Sequence, residues 1–452
     1  NKCFLHVTVL CMQHLEEFSL INSSQHGFRH GRSTLTQLLS FYDNILTNIE
    51  GGSQVDVLFV DYEKCFDKID HKILLSKLSS VGIKGKALAW IKNFLGRRTF
   101  KVRVDGTFSN EAPVISGVPP GTVLGPLLML VMNSDVDEVI KNGVIGTFAD
   151  DTKIMITIKT LQDTQKMQED LQNLESYTTT NNMQMNGDKF VLLRYNKTFN
   201  QPLLLADGTA IKEAEGTKDL GIWMSNDAKF TQHITNVSRS CQTIASMVFR
   251  SFKTRDNFLL LTLLKSLILP KLDYCSILYF PTNLGDLRKL EQIQSNFTMR
   301  MNCGRFEDGK RRNYWERLQL LNLYSIERRI ERYGVIMAWK ILHGLVVNPG
   351  ICFKNREGRN GIECVIPKFC GTQRENSFLV RGPRLFNALP KELREFPLDS
   401  EVEAEQAVEK FKKKLDKYLK SIPDEPNLSS NYSQFVVGVN IYGKRTNSII
   451  RL

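Results

Sequence analysis

Hydrophobic positions recur along this chain with two periods, and the switches between them outline its elements. Residues 1–53 read as mostly helical. There Leu35, Leu38, Leu39 and Tyr42 form one face at helical spacing, with Ser33 or Thr34 placed to cap it. Gly51-Gly52-Ser53 interrupts that pattern. The run 55–60 is then apolar on both faces, Val55, Val57 and Phe59 against Leu58 and Val60, as a strand buried on two sides requires. A helix follows with Ile73, Leu74 and Leu78 inward and Lys77 snorkelling, and Gly82 and Gly85 flank its end.

Residues 100–104 alternate as a strand does, and Asp105-Gly106 signals a hairpin. The Gly- and Pro-rich segment 116–126 leads into Leu127-Leu128-Met129-Leu130-Val131-Met132, a loop entering a buried helix. Residues 144–148 and 153–158 flank Ala149-Asp150-Asp151-Thr152 as strand, tight turn and strand. Thr160 with Asp163 forms a capping-box pattern ahead of Met167, Leu171 and Leu174. A strand at 191–195 closes a βαβ-like unit.

From residue 231 the period is helical. The most apolar stretch, 258–269, falls short of the roughly 20 residues of a membrane span. Lys265 interrupts it and Pro270 is expected to end it. Residues 401–420 form an amphipathic helix with Val408, Phe411, Leu415 and Leu419 inward. The polar segment 422–434, with two prolines, reads as a linker or frayed tail.

At 452 residues the chain exceeds one compact core. The pattern suggests divisions at 1–225, 226–345 and 346–452. A hydrophobic fraction of 42% with 24% charged residues excludes a disordered chain. The net charge of +12 favours anionic partners such as nucleic acid. Twelve Lys or Arg against seven Asp or Glu fall between 286 and 340, including Lys310-Arg311-Arg312 and Arg328-Arg329.

Nine scattered cysteines suit free thiols in a reducing, intracellular compartment rather than a secreted disulfide framework. Cys352, Cys364 and Cys370 lack the spacing of a zinc module. The segment 4–12, following Asn1, reads as a truncated helix and not as a signal peptide. Neither a membrane nor an obligate protein partner is expected.

The chemistry lies where two strand-like runs stop at carboxylates, at Asp61 and at Asp150-Asp151. Nucleotidyl transfer to a 3′-hydroxyl uses two divalent cations roughly 4 Å apart, held by carboxylates. Two carboxylates at that separation without a cation repel by roughly 4 kcal/mol at an effective dielectric of 20. Successive side chains point to opposite sides, so the two aspartates of the turn are inequivalent, and Asp150 is expected to be the nearer ligand. Taken alone, Ala-Asp-Asp-Thr is better read as a polar hairpin turn.

Context decides between those readings. Asp61-Tyr62-Glu63-Lys64-Cys65-Phe66-Asp67, then Ser116-Gly117-Val118-Pro119-Pro120-Gly121-Thr122-Val123-Leu124-Gly125-Pro126, then Phe148-Ala149-Asp150-Asp151 occur in order. Together they resemble motifs A, B and C of reverse transcriptases. Gln25-His26-Gly27-Phe28-Arg29-His30-Gly31-Arg32-Ser33-Thr34 resembles the fingers motif of non-LTR, LINE-type enzymes. Asn186-Gly187-Asp188-Lys189 and Asp219-Leu220-Gly221-Ile222 resemble motifs D and E. Ser377-Phe378-Leu379-Val380-Arg381 and Arg384-Leu385-Phe386-Asn387-Ala388-Leu389-Pro390 resemble the C-terminal region of Jockey-like and chicken-repeat-like elements.

The resemblance implies an α/β (α+β) right-hand polymerase with palm, fingers and helical thumb, followed by a mainly helical, basic C-terminal region. It implies an RNA-directed DNA polymerase extending a DNA primer end on an RNA template with dNTP. Asp61, Asp150 and Asp151 would hold two Mg2+ ions, or Mn2+, with the Tyr62 carbonyl assisting. Phe66 would be the steric gate against a 2′-hydroxyl, with a core aromatic as its competing reading. Lys189 would protonate the leaving pyrophosphate. Arg29 would contact the triphosphate, with a structural salt bridge as its alternative. Gly121 and its loop would let the backbone approach the nascent pair.

Departures are equally specific. Pro120 replaces the family's Gln and so removes an amide contact. Met129 and Asn133-Ser134-Asp135-Val136 replace an aromatic and an Ile-Asn-Asp-Leu pattern. Asn133 thereby puts an amide in a buried segment, costing roughly 1–3 kcal/mol if unpartnered. Tyr177 stands where Trp is usual. The first fingers motifs are not recognisable before residue 20, and no endonuclease is expected ahead of them. The alternative these departures imply is a truncated, impaired or domesticated descendant that only binds nucleic acid.

Overall fold

The computed structural model describes residues 2–356, 361–398, 403–422 and 424. Most of the 422–434 segment read above as a tail lies outside them. The chain forms two compact units, one of residues 1–37 and 51–220, the other of residues 38–50 and 221–452.

The first unit opens with α1 (Lys2–Glu17) and the first turn of α2 (Thr34–Glu50). The Ser33 hydroxyl accepts from the Thr36 amide and caps α2. Next come β1 (Gln54–Val60), α3 (His71–Ser80) and α4 (Gly85–Leu95). The exposed short strands β2 (Thr99–Phe100), β3 (Arg103–Val104), β4 (Thr107–Phe108) and β5 (Ala112–Pro113) follow. Asp105 and Gly106 have φ of 47° and 87°, the left-handed pair that a two-residue hairpin demands.

After α5 (Leu124–Met132) come β6 (Val144–Phe148), β7 (Asp151–Ile158), α6 (Leu161–Thr180), β8 (Val191–Tyr195), β9 (Lys212–Ala214) and β10 (Gly216–Asp219). The sheet order is β6-β7-β1-β8-β9. β1 is antiparallel to both β7 and β8, so β7-α6-β8 is a βαβ unit split by the insertion of β1. The apolar pattern explains this centre, because Val55, Val57 and Leu58 are wholly buried. The Thr160–Asp163 capping box starts α6.

The all-apolar α5 lies in the core between α1 and α3. At its end Asn133 is buried, and its Oδ1 has no hydrogen-bond partner among the described residues, the cost foreseen from sequence. Tyr177 does use its hydroxyl, donating to Asp135 at 2.7 Å, while Lys77 bonds Asp135 at 2.6 Å and the Met132 carbonyl at 2.8 Å. Lys77 is therefore an anchor between helices and not a snorkelling chain.

The second unit comprises the rest of α2, β11 (Ile222–Ser225), α7 (Thr231–Ser251), α8 (Asn257–Leu263), α9 (Leu269–Asp273), α10 (Leu284–Met299), α11 (Tyr314–Leu321) and α12 (Ile326–Leu342). A hairpin of β12 (Phe353–Arg356) and β13 (Gly361–Cys364) interrupts the helical run. Then come α13 (Thr372–Glu375), α14 (Phe378–Asn387), α15 (Lys391–Arg394) and α16 (Ala404–Leu419). Residues of α2 are fastened here by Tyr42, whose hydroxyl donates to the Ala228 carbonyl at 2.7 Å, and by Glu50, which accepts from the Gly371 amide at 2.6 Å.

Pro270 ends the apolar stretch but not the helical run. A π-turn over Leu264–Ile268 absorbs the missing donor and α9 continues through the proline. The β12–β13 hairpin was not foreseen in a region read as mainly helical, because neither four-residue strand alternates cleanly. Among the described residues no helix is long and apolar enough to cross a membrane.

Candidate active site

Register brings the carboxylates together. Val60 is paired with Thr152 across β1 and β7, so the next residue outward on each strand is an aspartate, Asp61 on one and Asp151 on the other. A cavity at this sheet end is lined by Asp61, Asp151, Lys189, Lys153, Gln37 and Asp219. Burial raises the pKa of Asp151, and the charges of Asp150, Asp219 and Asp61 raise it further against the opposing effect of Lys153. Asp150 also bears on the buried Tyr62 and Cys65, where burial and then its charge oppose ionisation. The two aspartates of the turn thus face different surroundings.

The turn bearing them is held from an unexpected quarter. Ala149 has φ of 58°, a conformation that costs an L-residue. The Gln25 carboxamide secures it on both sides, its Oε1 accepting from the Ala149 amide at 2.8 Å and its Nε2 donating to the Ala149 carbonyl at 3.1 Å. Beside it the His26 amide donates to the Thr147 carbonyl at 3.0 Å and the Thr147 amide to the Ser24 carbonyl at 3.2 Å. This packing leaves no room for a side chain at residue 27, where a Cβ on Gly27 would fall 2.4 Å from the Ala149 nitrogen.

Backbone bonds likewise join the segment after β1 to the segment around Lys189. The Glu63 amide donates to the Gln184 carbonyl at 2.8 Å, and the Asn186 amide to the Asp61 carbonyl at 2.9 Å. Lys189 Nζ then lies 3.1 Å from Asp61 Oδ2, both groups being solvent-accessible.

On the other side, the glycine-rich loop docks on residues 66–71. The Gly117 amide donates to the Ile69 carbonyl and the Val118 amide to the Phe66 carbonyl, each at 2.8 Å. Gly117 has φ of 78°, and a Cβ there would lie 2.5 Å from the Asp67 carbonyl oxygen, so only glycine fits. His71 and Arg98 converge on the Gly117 carbonyl at 2.8 and 2.7 Å. Half-buried Phe66 sits beside Gly125 at the start of α5, whereas Pro120 and Gly121 are exposed at the loop tip.

Arg29 stands apart from this cluster. Its guanidinium bonds both oxygens of Glu16, at 2.7 and 2.6 Å, and the Asn22 carbonyl at 2.7 Å, with its side chain nearly buried. That is the structural salt bridge weighed against a triphosphate contact. Sequence reasoning also missed Gln25, Lys153 and Asp219 as contributors. Lys153 is buried with its ammonium on Asp219 and on Gln37 Oε1 at 2.9 Å.

As donors, the carboxylates suit a hard divalent cation. Asp151, raised by burial and then by its neighbours' negative charge, is the kind of group a cation would relieve. Among the described residues no three such groups are already closed on one point. The fit therefore rests on donor chemistry and charge.

A split βαβ sheet carrying aspartates at the adjoining ends of β1 and β7, with a glycine loop docked behind a half-buried aromatic, defines a polymerase palm. Residues 6–224 match the family described as reverse transcriptase (RNA-dependent DNA polymerase), and this part of the chain is a reverse transcriptase domain.

The chain is similar to the RNA-directed DNA polymerase from mobile element jockey of Drosophila melanogaster, 30% identical over 289 residues, covering 61% of this chain and 31% of that protein. The corresponding jockey protein of Drosophila funebris is 25% identical, covering 60% and 31%. The probable RNA-directed DNA polymerase from transposon X-element of Drosophila melanogaster is 23% identical, covering 64% and 33%. The chain thus spans about a third of the length of these relatives. Among solved structures, apo telomerase from Candida tropicalis superposes with a TM-score of 0.39 at 11% identity, covering 75% of this chain and 53% of that one, too loosely to carry an argument.

Proposed function

We propose that this chain is an RNA-directed DNA polymerase of a LINE-type element, adding deoxynucleotides to a DNA 3′ end on an RNA template. The observation that carries this reading is the meeting of Asp61 and Asp151 at the ends of paired strands, with Asp150 beside them. Two Mg2+ ions held by Asp61, Asp150 and Asp151, with the Tyr62 carbonyl, would activate the 3′-hydroxyl and offset charge on the leaving pyrophosphate.

The remaining work falls to other side chains. Lys189, tethered by Asp61, would give a proton to the leaving group. Phe66 would floor the sugar site and reject a 2′-hydroxyl. The loop holding Gly121 would admit the nascent pair, with Pro120 offering no side-chain amide there. Residues 226–345 would serve as thumb and 346–452 as a basic extension.

Primer extension on an RNA template with Mg2+ tests this. Synthesis by the parent, lost in Asp150→Ala, is the expected result. RNA binding without synthesis by the parent would leave only a nucleic-acid-binding protein. Phe66→Val should admit ribonucleotides, and Pro120→Gln, at an exposed site, should raise the rate.

A further inference from the structure

The second unit holds a cavity of about 710 Å3 that the polymerase chemistry does not use. It lies where the C-terminal ends of α7 and α10 meet the loops that follow them. Four arginines line it, Arg250, Arg255, Arg300 and Arg305, and no carboxylate among the described residues does. None of the four is ion-paired with a carboxylate among the described residues. Arg250 donates to the Ser246 carbonyl and Arg305 to the Gly309 carbonyl, while Arg255 uses one nitrogen on the carbonyls of Phe252, Lys253 and Thr254. Capping of helix C-termini explains part of this placement. It does not explain why the guanidiniums of Arg255 and Arg300 both crowd Phe249, 5.2 and 5.1 Å from its ring centre. Clustered like charges without a counter-charge favour a bound anion.

We propose that this cavity binds the phosphodiester backbone of a single nucleic-acid strand. Its volume suits one nucleotide unit, within the roughly 300–1,000 Å3 of ligand sites. The planar donors of Arg250, Arg300 and Arg305, all exposed, match phosphate oxygens in the bidentate manner arginine favours. Ser246 and Asn302, also exposed on the lining, add neutral groups able to meet a sugar hydroxyl. The site rests on the polymerase reading only for the choice of polymer, since the charge arrangement itself demands an anion.

Fluorescence anisotropy with the full chain tests it, using labelled oligouridine and oligodeoxythymidine of equal length across a salt series. The double variant Arg250→Ala/Arg300→Ala should weaken binding at least tenfold at 0.1 M salt. It should also lessen the slope of log affinity against log salt by about 1.4, two phosphate contacts on a single strand. The equal charge loss Lys413→Ala/Lys417→Ala on α16 should change neither. Equal weakening toward both oligomers supports reading of the phosphates alone, and a larger loss toward RNA supports a further contact to the 2′-hydroxyl. Parent-like binding by the double variant, or an equal loss in the α16 control, overturns the site. Extension of a preformed primer–template is measured separately, so failure of synthesis and failure of this site are told apart.

Discussion

The carboxamide of Gln25 bonds both the amide and the carbonyl of Ala149, 124 positions further along the chain. A side chain thereby does for the turn what a neighbouring strand does for a sheet, and it does so at a residue whose φ of 58° needs support. Gln25→Ala leaves the Ala149 peptide without both partners. We expect kcat for primer extension to fall at least tenfold with little change in KM for dNTP, since the aspartates are misplaced and the nucleotide site is not. Steady-state kinetics beside a thermal melt separates this from simple unfolding, and unchanged kcat with a lowered melting point would make Gln25 structural only.

Lys153 and Asp219 form a buried ion pair beneath the same aspartates. Lys153→Met strands the carboxylate of Asp219 in the interior, a loss of about 3–5 kcal/mol for breaking such a pair. The double change Lys153→Met/Asp219→Leu removes both charges and should recover most of it. Denaturant titration of the three variants checks this, and additive losses would show that the two groups do not act as a pair.

Asn133 should be improvable. Among the described residues its Oδ1 is buried without a partner at the end of an apolar helix, and its Nδ2 meets Met129 Sδ, at 4.0 Å. Asn133→Leu should stabilise the fold by about 1–2 kcal/mol, the lower part of the range for relieving an unmet polar group. A shift of the urea midpoint upward at constant slope is the expected signature.

Glu291 gives the fold a dependence on pH. Full burial pushes its carboxyl up to about 8, against hydrogen bonds from Tyr314 at 2.9 Å and the Glu327 amide at 3.0 Å that favour the charged form. The folded state therefore holds its proton more tightly than the unfolded chain, whose value is 4.5. The stability this contributes is fully present below pH 4.5 and is lost as pH rises through about 8. Glu291→Gln, neutral throughout, should flatten that decline, and melting curves between pH 5 and about 8.5 read it out.

Much of the palm was legible because its signals are local. The two-faced apolar run of β1, the Asp105-Gly106 turn and the Thr160–Asp163 box each state their geometry within a few residues. What escaped depends on contacts made at a distance. Gln25 stood at the head of a motif quoted for its arginine, and nothing nearby tells that its amide reaches the turn at residue 149. Lys153 reads as a polar strand position until β7 pairs with β1 and turns it inward. Arg29 illustrates the converse, since an arginine in a fingers-like motif carries no sign that Glu16 occupies its guanidinium.

The docking of the glycine loop on residues 66–71 is made by main-chain bonds, Val118 to Phe66 and Gly117 to Ile69. Under the roles proposed for Phe66 and this loop, sugar selection and template alignment would share one block. A substitution that shifts the loop to change the template side must also carry the Phe66 ring with it. Fidelity toward the base and toward the sugar should then drift together as this sequence diverges, and an evolved gain in one would be legible as a cost in the other.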